Sequence, residues 1–298
     1  MFQIKIIYTT DLHGIKGLYF QLFQLAIDWQ PDVVIVGGDI LPKHGPFYRS
    51  IENQRDFIVR FLRYELKEIH KKLPEVEIYG MMGNDDWIVT MPYLAELQSY
   101  GLLKLLHTKK YMLEREFEII GYGNVPPTPF SNKDSERIDT ADLPMEAQNV
   151  AACISTESGI ITIDPEHHFR SHHTIEEELV NLPVPNSFQR TVYVMHSPPF
   201  GTKLDVLHNG RPAGSHAIRR FIEKKQPFLT LHGHVHESPL VSGSYWDTIG
   251  DTLCLNSGQS INDLHAVVFE LEDVENTMKH TIFQRNSSPK KIRHNNQK

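Results

Sequence analysis

The sequence predicts an α/β protein, with a parallel sheet covered by helices and a second sheet packed on it. Three observations carry this. Apolar runs alternate with amphipathic helical periods over residues 4–82. Five short polar motifs each stand where an apolar run ends: Asp11-Leu12-His13, Gly38-Asp39, Gly83-Asn84-Asp85-Asp86, His196 and Gly233-His234-Val235-His236. Beyond residue 252 the apolar runs follow one another with no helix between them, as strands of a further sheet do.

Taken in order, residues 4–8 alternate as a strand. Leu18, Leu22, Leu25, Ala26 and Trp29 fall at helical spacing, and Pro31 ends that helix. Residues 33–36 form a second strand, stopping at Gly37-Gly38-Asp39. Ile58, Leu62, Leu66, Ile69 and Leu73 mark a second helix ended by Pro74, and residues 76–82 a third strand. This βαβαβ order implies right-handed crossovers and a parallel sheet. Short strands follow over residues 102–121.

Residues 124–190 change character. They begin Pro-rich, turn charged, and then carry His167, His168, His172 and His173. One strand, 159–163, and a helix starting at Thr174 with Glu176, Glu177 and Glu178 in its first turn are expected there. So long a connection reads as a candidate lid or insertion. Strand character returns at 191–195, a helix follows Ser215 as N-cap with Ile218, Phe221 and Ile222 inward, and strands are expected at 228–231, 252–255, 265–269 and 281–283. A single domain over residues 1–285 is expected, with a disordered basic tail at 286–298.

Hydrophobic content of 40% and charged content of 22% fit a soluble globular chain. No apolar run reaches the length of a membrane span. A net charge of −7 argues against nucleic acid as a partner. Cys153 and Cys254 are too few for a disulfide framework and read as core residues of a reducing compartment, the cytoplasm. No cleaved leader is expected, because removing the first strand would remove the first candidate ligands.

The motifs offer carboxylate, amide oxygen and imidazole donors. At the carboxyl ends of neighbouring parallel strands such groups converge on one sheet edge, where two cations could sit side by side. Asp11 and His13 reach one site only if the chain leaves β geometry there. Glycine before Asp39 and Asn84 permits close backbone approach. His234 and His236 share a face in extended geometry. Any one of these histidines alone would read as an ordinary hydrogen-bonding residue; the joint order carries the case. No Gly-x-Ser-x-Gly elbow surrounds Ser197, which removes a serine-hydrolase reading.

The set resembles the calcineurin-like metallophosphoesterase superfamily, whose motifs run Asp-x-His, Gly-Asp, Gly-Asn, His and Gly-His-x-His. His196-Ser197-Pro198-Pro199, Gly201-Thr202, Asp205, Gly214-Ser215 and Glu237-Ser238 are similar to a prokaryotic-type, phosphodiesterase-like subgroup, and Asn256-Ser257-Gly258 to its Asn-Pro-Gly turn. The resemblance implies a four-layer αββα sandwich, two mixed β-sheets flanked by helices. It implies two divalent ions (Mn, Fe or Zn), one held by Asp11, His13, Asp39 and His236, the other by Asp39, Asn84, His196 and His234, with Asp39 shared. It implies hydrolysis of a small-molecule phosphoester by a hydroxide bridging the ions.

One departure matters. Where many relatives carry a leaving-group histidine, this chain has Asp85. An ionised carboxylate beside two cations is not expected to act as an efficient general acid. A phosphodiesterase acting on diesters or nucleotide-like small molecules is therefore expected over a monoesterase or nucleotidase. Asp86, the second acidic position, is expected to orient neighbours. His44, His167 and Arg170, with His168, His172, His173 and Lys133, are candidates to meet the substrate. A non-catalytic scaffold on the same fold is the rival class; every ligand position being filled argues against it.

Overall fold

The structure is a computed structural model and describes residues 3–143 and 150–283; the expected tail at 286–298 lies outside the described residues. In chain order the strands are β1 (Lys5–Thr9), β2 (Val33–Val36), β3 (Glu77–Gly80), β4 (Lys104–Leu105), β5 (Lys110–Met112), β6 (Glu118–Tyr122), β7 (Cys153–Thr156), β8 (Gly159–Thr162), β9 (Thr191–Met195), β10 (Leu229–His232), β11 (Trp246–Ile249), β12 (Thr252–Asn256), β13 (Ala266–Glu270) and β14 (Lys279–His280). One six-stranded sheet runs β14-β13-β1-β2-β3-β4, the other β11-β12-β10-β9-β6-β5. In the first, β1 to β4 are parallel and β13 is antiparallel to β1. In the second, β6, β9, β10 and β12 are parallel, with antiparallel strands β5 and β11 at the edges. Both sheets are thus mixed, as expected.

Side-chain alternation builds the four layers. In β1, Ile6 and Tyr8 face the second sheet and join Val33, Ile35, Ile119, Val192, Val194, Leu229 and Leu255 in the central core. Ile7 faces the other way, with Val34 and Ile78, under Leu18, Leu22, Leu62 and Leu66 of the outer helices. Across the molecule Ile120, Tyr193 and Met195 face out beneath Ile218 and Ile222 of helix His216–Lys225. Each such buried aliphatic side chain contributes about 1.5–3 kcal/mol. The Tyr8 hydroxyl crosses the central layer to donate to the His232 carbonyl at 2.5 Å.

Several elements differ from expectation, among them strands β7 and β11 and helix Pro165–Arg170, which the apolar spacing does not mark, and three more. The second helix is a continuous rod over residues 50–72, in which residues 57–62 follow π-type hydrogen bonding between two α segments. Its first two turns escape the apolar pattern because the residue they bury is Gln54. Helix Met91–Ser99 is an element the apolar spacing does not predict. The strand expected at 281–283 is instead a bend, with β14 just before it. The Thr281 hydroxyl donates to the Leu264 carbonyl, and the Ile282 N–H donates to His280 Nδ1, which curls the chain off the sheet.

The 124–190 segment contains the β7–β8 hairpin and helices Pro165–Arg170 and Ile175–Val180, the latter opened by a capping box between Thr174 and Glu177. It is stitched to the body through Asp134 and Asp139. Asp134 accepts the Ile88 N–H at 2.9 Å, and Asp139 accepts the His216 N–H at 2.6 Å at the start of a helix of the second outer layer. Cys153 and Cys254 are buried free thiols. Among the described residues no helix is long and apolar enough to cross a membrane.

Candidate metal centre

The carboxyl ends of β1, β2 and β3 meet those of β9 and β10 at one edge of the sandwich. Past β1 and β2 the two chains stay zipped: the N–H groups of Asp11 and His13 donate to the carbonyls of Gly38 and Asp39 at 3.0 and 2.8 Å. To keep that pairing while turning side chains inward, the backbone enters the left-handed region at Asp11 (φ 55°), His13 (φ 44°), Asp39 (φ 49°) and His234 (φ 65°). Non-glycine residues rarely adopt such angles, which cost of order 1–3 kcal/mol each and gather at functional sites.

Two glycines let the ends approach. A Cβ at Gly38, whose φ is 127°, would overlap the His196 ring, and one at Gly83 would come within 2.5 Å of His196 Nε2. A side chain at Gly38 would displace the His196 ring, and one at Gly83 would enter the space into which His196 Nε2 points.

The structure brings all seven expected ligands together. His236 Nε2 lies 3.1 Å from Asp11 Oδ1 and 3.1 Å from His13 Nε2. His13 Nε2 is 3.9 Å and His196 Nε2 is 3.4 Å from Asp39 Oδ2, so the Asp39 carboxylate stands between the two groups. His234 Nδ1 meets Asn84 Oδ1 at 2.8 Å. Donor atoms of Asp11, His13, Asp39 and His236 all fall within 4.8 Å of one another. Asp11, Asp39, Asn84, His13 and His196 are buried.

This donor set fits divalent cations. His196 Nδ1 lies 3.0 Å from the Gly37 carbonyl, which fixes the ring and turns Nε2 into the cluster, where it has no hydrogen-bond partner. His13 Nδ1 is likewise buried without a partner. Electrostatics agree. Burial would raise the carboxyls of Asp11 and Asp39, but neighbouring imidazoles, His236 for Asp11 and His196 for Asp39, outweigh it and hold both well below the usual range. Burial pushes His13 and His234 down to about 3, so both stay neutral and able to ligate. Burial would also lower His196, yet Asp39 lifts it to about 9. A cation bound among these two acids and four imidazoles would take the place of the protons that Asp39 and Asp11 favour on His196 and His236.

Asp86 does not face the cluster. Its buried carboxylate accepts N–H groups of Ile40, Leu41 and Gly83 at 3.1, 2.8 and 3.0 Å, binding the loop after β2 to the loop after β3. Asp85 sits at the mouth. Its N–H donates to Asp39 Oδ1 at 2.8 Å, and its carboxylate lies 3.1 Å from Lys43 Nζ and 3.7 Å from His13 Nδ1. Burial and then Asp39 raise its carboxyl, against the pull of Lys43.

The substrate candidates divide differently. His44 is exposed and makes no hydrogen bond to the cluster; its neighbour Lys43, unmarked in the sequence, does. Lys133 is fully buried in an ion pair with Glu136 at 2.9 Å. Arg170 pairs with Glu166 on its own helix, His167 is exposed, His168 lies 3.3 Å from the Lys133 carbonyl, His172 packs on His168, and His173 pairs with Glu177. None of these contacts reaches the cluster.

A family model described as calcineurin-like phosphoesterase matches residues 4–238. One solved structure superposes on 95% of this chain and 100% of its own with a TM-score of 0.61 at 18% identity. TT1561 of Thermus thermophilus superposes on 94% of this chain and 98% of its own with a TM-score of 0.56 at 14% identity. At such identities the likeness is one of fold. No curated protein matches the chain.

Proposed function

This chain belongs to the calcineurin-like phosphoesterase family of metal-dependent phosphoric ester hydrolases, and on that premise we propose that it is a phosphodiesterase of small, nucleotide-like substrates. Two divalent ions are assigned to the seven converging side chains, Asp11, His13, Asp39 and His236 around one and Asp39, Asn84, His196 and His234 around the other. Bound there, they supply Lewis-acid polarisation of the phosphoryl group and activation of water.

The chain's own residues do the rest. His196, held through Nδ1, and Asp39, held through the Asp85 N–H, keep their donor atoms aimed at one point. Asp86 fixes the spacing of the loops that carry Asp39 and Asn84.

The observation that carries the diester reading is the pairing of Asp85 with Lys43. A carboxylate paired with an ammonium at 3.1 Å is an acceptor, with no proton to give a leaving alkoxide. Esters whose leaving group departs readily are the suited substrates.

The test is hydrolysis of bis-p-nitrophenyl phosphate against p-nitrophenyl phosphate, with Mn²⁺ and after chelation. We expect the diester to be preferred and both rates to vanish with chelator. A clear monoester preference overturns the diesterase reading; activity indifferent to chelator overturns the metal assignment.

A further inference from the structure

We propose that Lys43 is the substrate-binding cation of this site, taking an oxygen of the phosphoryl group while neutralising Asp85. The proposal rests on the hydrolase reading of the metal centre and adds to it a residue outside its motifs.

Among the described residues, Lys43 carries the only lysine or arginine nitrogen within hydrogen-bond or ion-pair reach of the cluster. Its Nζ lies 3.1 Å from His13 Nε2 and 3.1 Å from Asp85 Oδ2. It stands in a loop that is exposed from Lys43 to Arg49, and its side chain keeps 34% of its accessible surface while its ammonium contacts His13 and Asp85.

The placement is built. Gln54 is fully buried, and its amide nitrogen donates to the carbonyls of Pro42 at 3.2 Å and Asp85 at 3.0 Å, while its oxygen accepts the Trp87 N–H at 2.8 Å. One side chain thus clamps the residue before Lys43 to the turn that carries Asp85. The indole N–H of Trp87 donates to the Ser50 hydroxyl at 2.8 Å and closes the clamp from the far side. A surface lysine that served only solubility would need no such support.

A cation held by Asp11, His13 and His236 would compete with Lys43 for His13. The ammonium then keeps Asp85 on one side and has two further N–H groups for an anion on the other. An ammonium in this position does two things. It cancels the charge with which Asp85 would repel a phosphate, and it places a point charge where the phosphoryl oxygens gather.

The test uses the full chain loaded with Mn²⁺ and measures inorganic phosphate affinity by calorimetry, with metal content determined on the same samples. Lys43→Met should weaken phosphate binding about tenfold or more with metal content unchanged, as loss of a charge-assisted hydrogen bond does. Lys43→Arg should recover part of the affinity. Asp85→Asn on the Lys43→Met background should restore part of the lost affinity, because the carboxylate charge that Lys43 no longer cancels is then removed; no recovery would deny that Lys43 neutralises Asp85. Equal phosphate affinity in wild type and Lys43→Met overturns the proposal. So does a loss of metal that accounts for the phosphate effect, since Lys43 would then only support His13. The diesterase reading fails separately: a monoester preference of the wild type overturns it and leaves the phosphate comparison standing.

Discussion

Asp86 shows how much of this site is carried by a residue that cannot touch substrate. Both of its oxygens are consumed by backbone N–H groups from two loops, so it acts as a brace rather than an acid. Asp86→Asn would keep the volume but turn an amide NH₂ against N–H donors. Each buried donor left unpaired costs about 1–3 kcal/mol. Asp39 and Asn84 would lose their relative spacing, and metal retention should fall about 10–100-fold, as for other residues that hold ligands in place. Metal content after dialysis and the thermal midpoint check this together; a variant with full metal and a wild-type midpoint would deny the brace. The seven candidate ligands stand out in the sequence because each lies at or just past the end of an apolar run. Lys43 is not legible: a lysine in a Pro- and Gly-containing loop reads as solvated, and His44 beside it is the more conspicuous side chain. Its role depends on Gln54, whose contacts exist only in three dimensions.

At the scale of elements, the buried parallel strands are easiest to read, since β2 and β9 are nearly unbroken apolar runs with glycine or proline close beyond their ends. The start of the 50–72 helix is harder, because a polar glutamine occupies its inward position and the π segment shifts the register of the apolar residues that follow. The 124–190 segment reads in sequence as a candidate lid, with Lys133 among its substrate-facing cations. Lys133 instead locks the segment internally, against Glu136 and the Thr128 carbonyl. Removing one partner of a buried pair strands the other. Lys133→Met should therefore cost about 3–5 kcal/mol, and Lys133→Met/Glu136→Gln should recover much of it. Urea unfolding of the two variants decides. The KM for a phosphodiester should stay unchanged in any folded Lys133 variant, and a rise of tenfold would return Lys133 to the substrate.

On the scale of the whole molecule, the sandwich holds its site only while both sheets keep a common edge, and polar contacts across their ends maintain it. His280 of β14 belongs to this set. Its Nε2 lies 2.8 Å from the Ser257 carbonyl, in the loop leaving β12 of the other sheet. Its Nδ1 accepts the N–H groups of Ile282 and Phe283 at 3.0 and 3.3 Å. Both ring nitrogens are committed to the neutral form, one as donor and one as acceptor. Burial accordingly depresses the folded pKa from 6.5 to about 4. As pH falls, the unfolded chain takes up the proton first, so the ring's contribution is complete above pH 6.5 and is lost between 6.5 and 4. At pH 5 the loss amounts to about 2 kcal/mol. His280→Asn offers an amide oxygen to the same two N–H groups but does not titrate. It should be less stable than wild type at about pH 7.5, where the Ser257 bond is missed, and the gap should narrow by about 2 kcal/mol at pH 5. Chelated protein is the right sample, since metal release in acid would otherwise add its own slope. A gap that stays constant between the two pH values would mean that His280 does not titrate in this range, and that the join between the sheets is indifferent to acid.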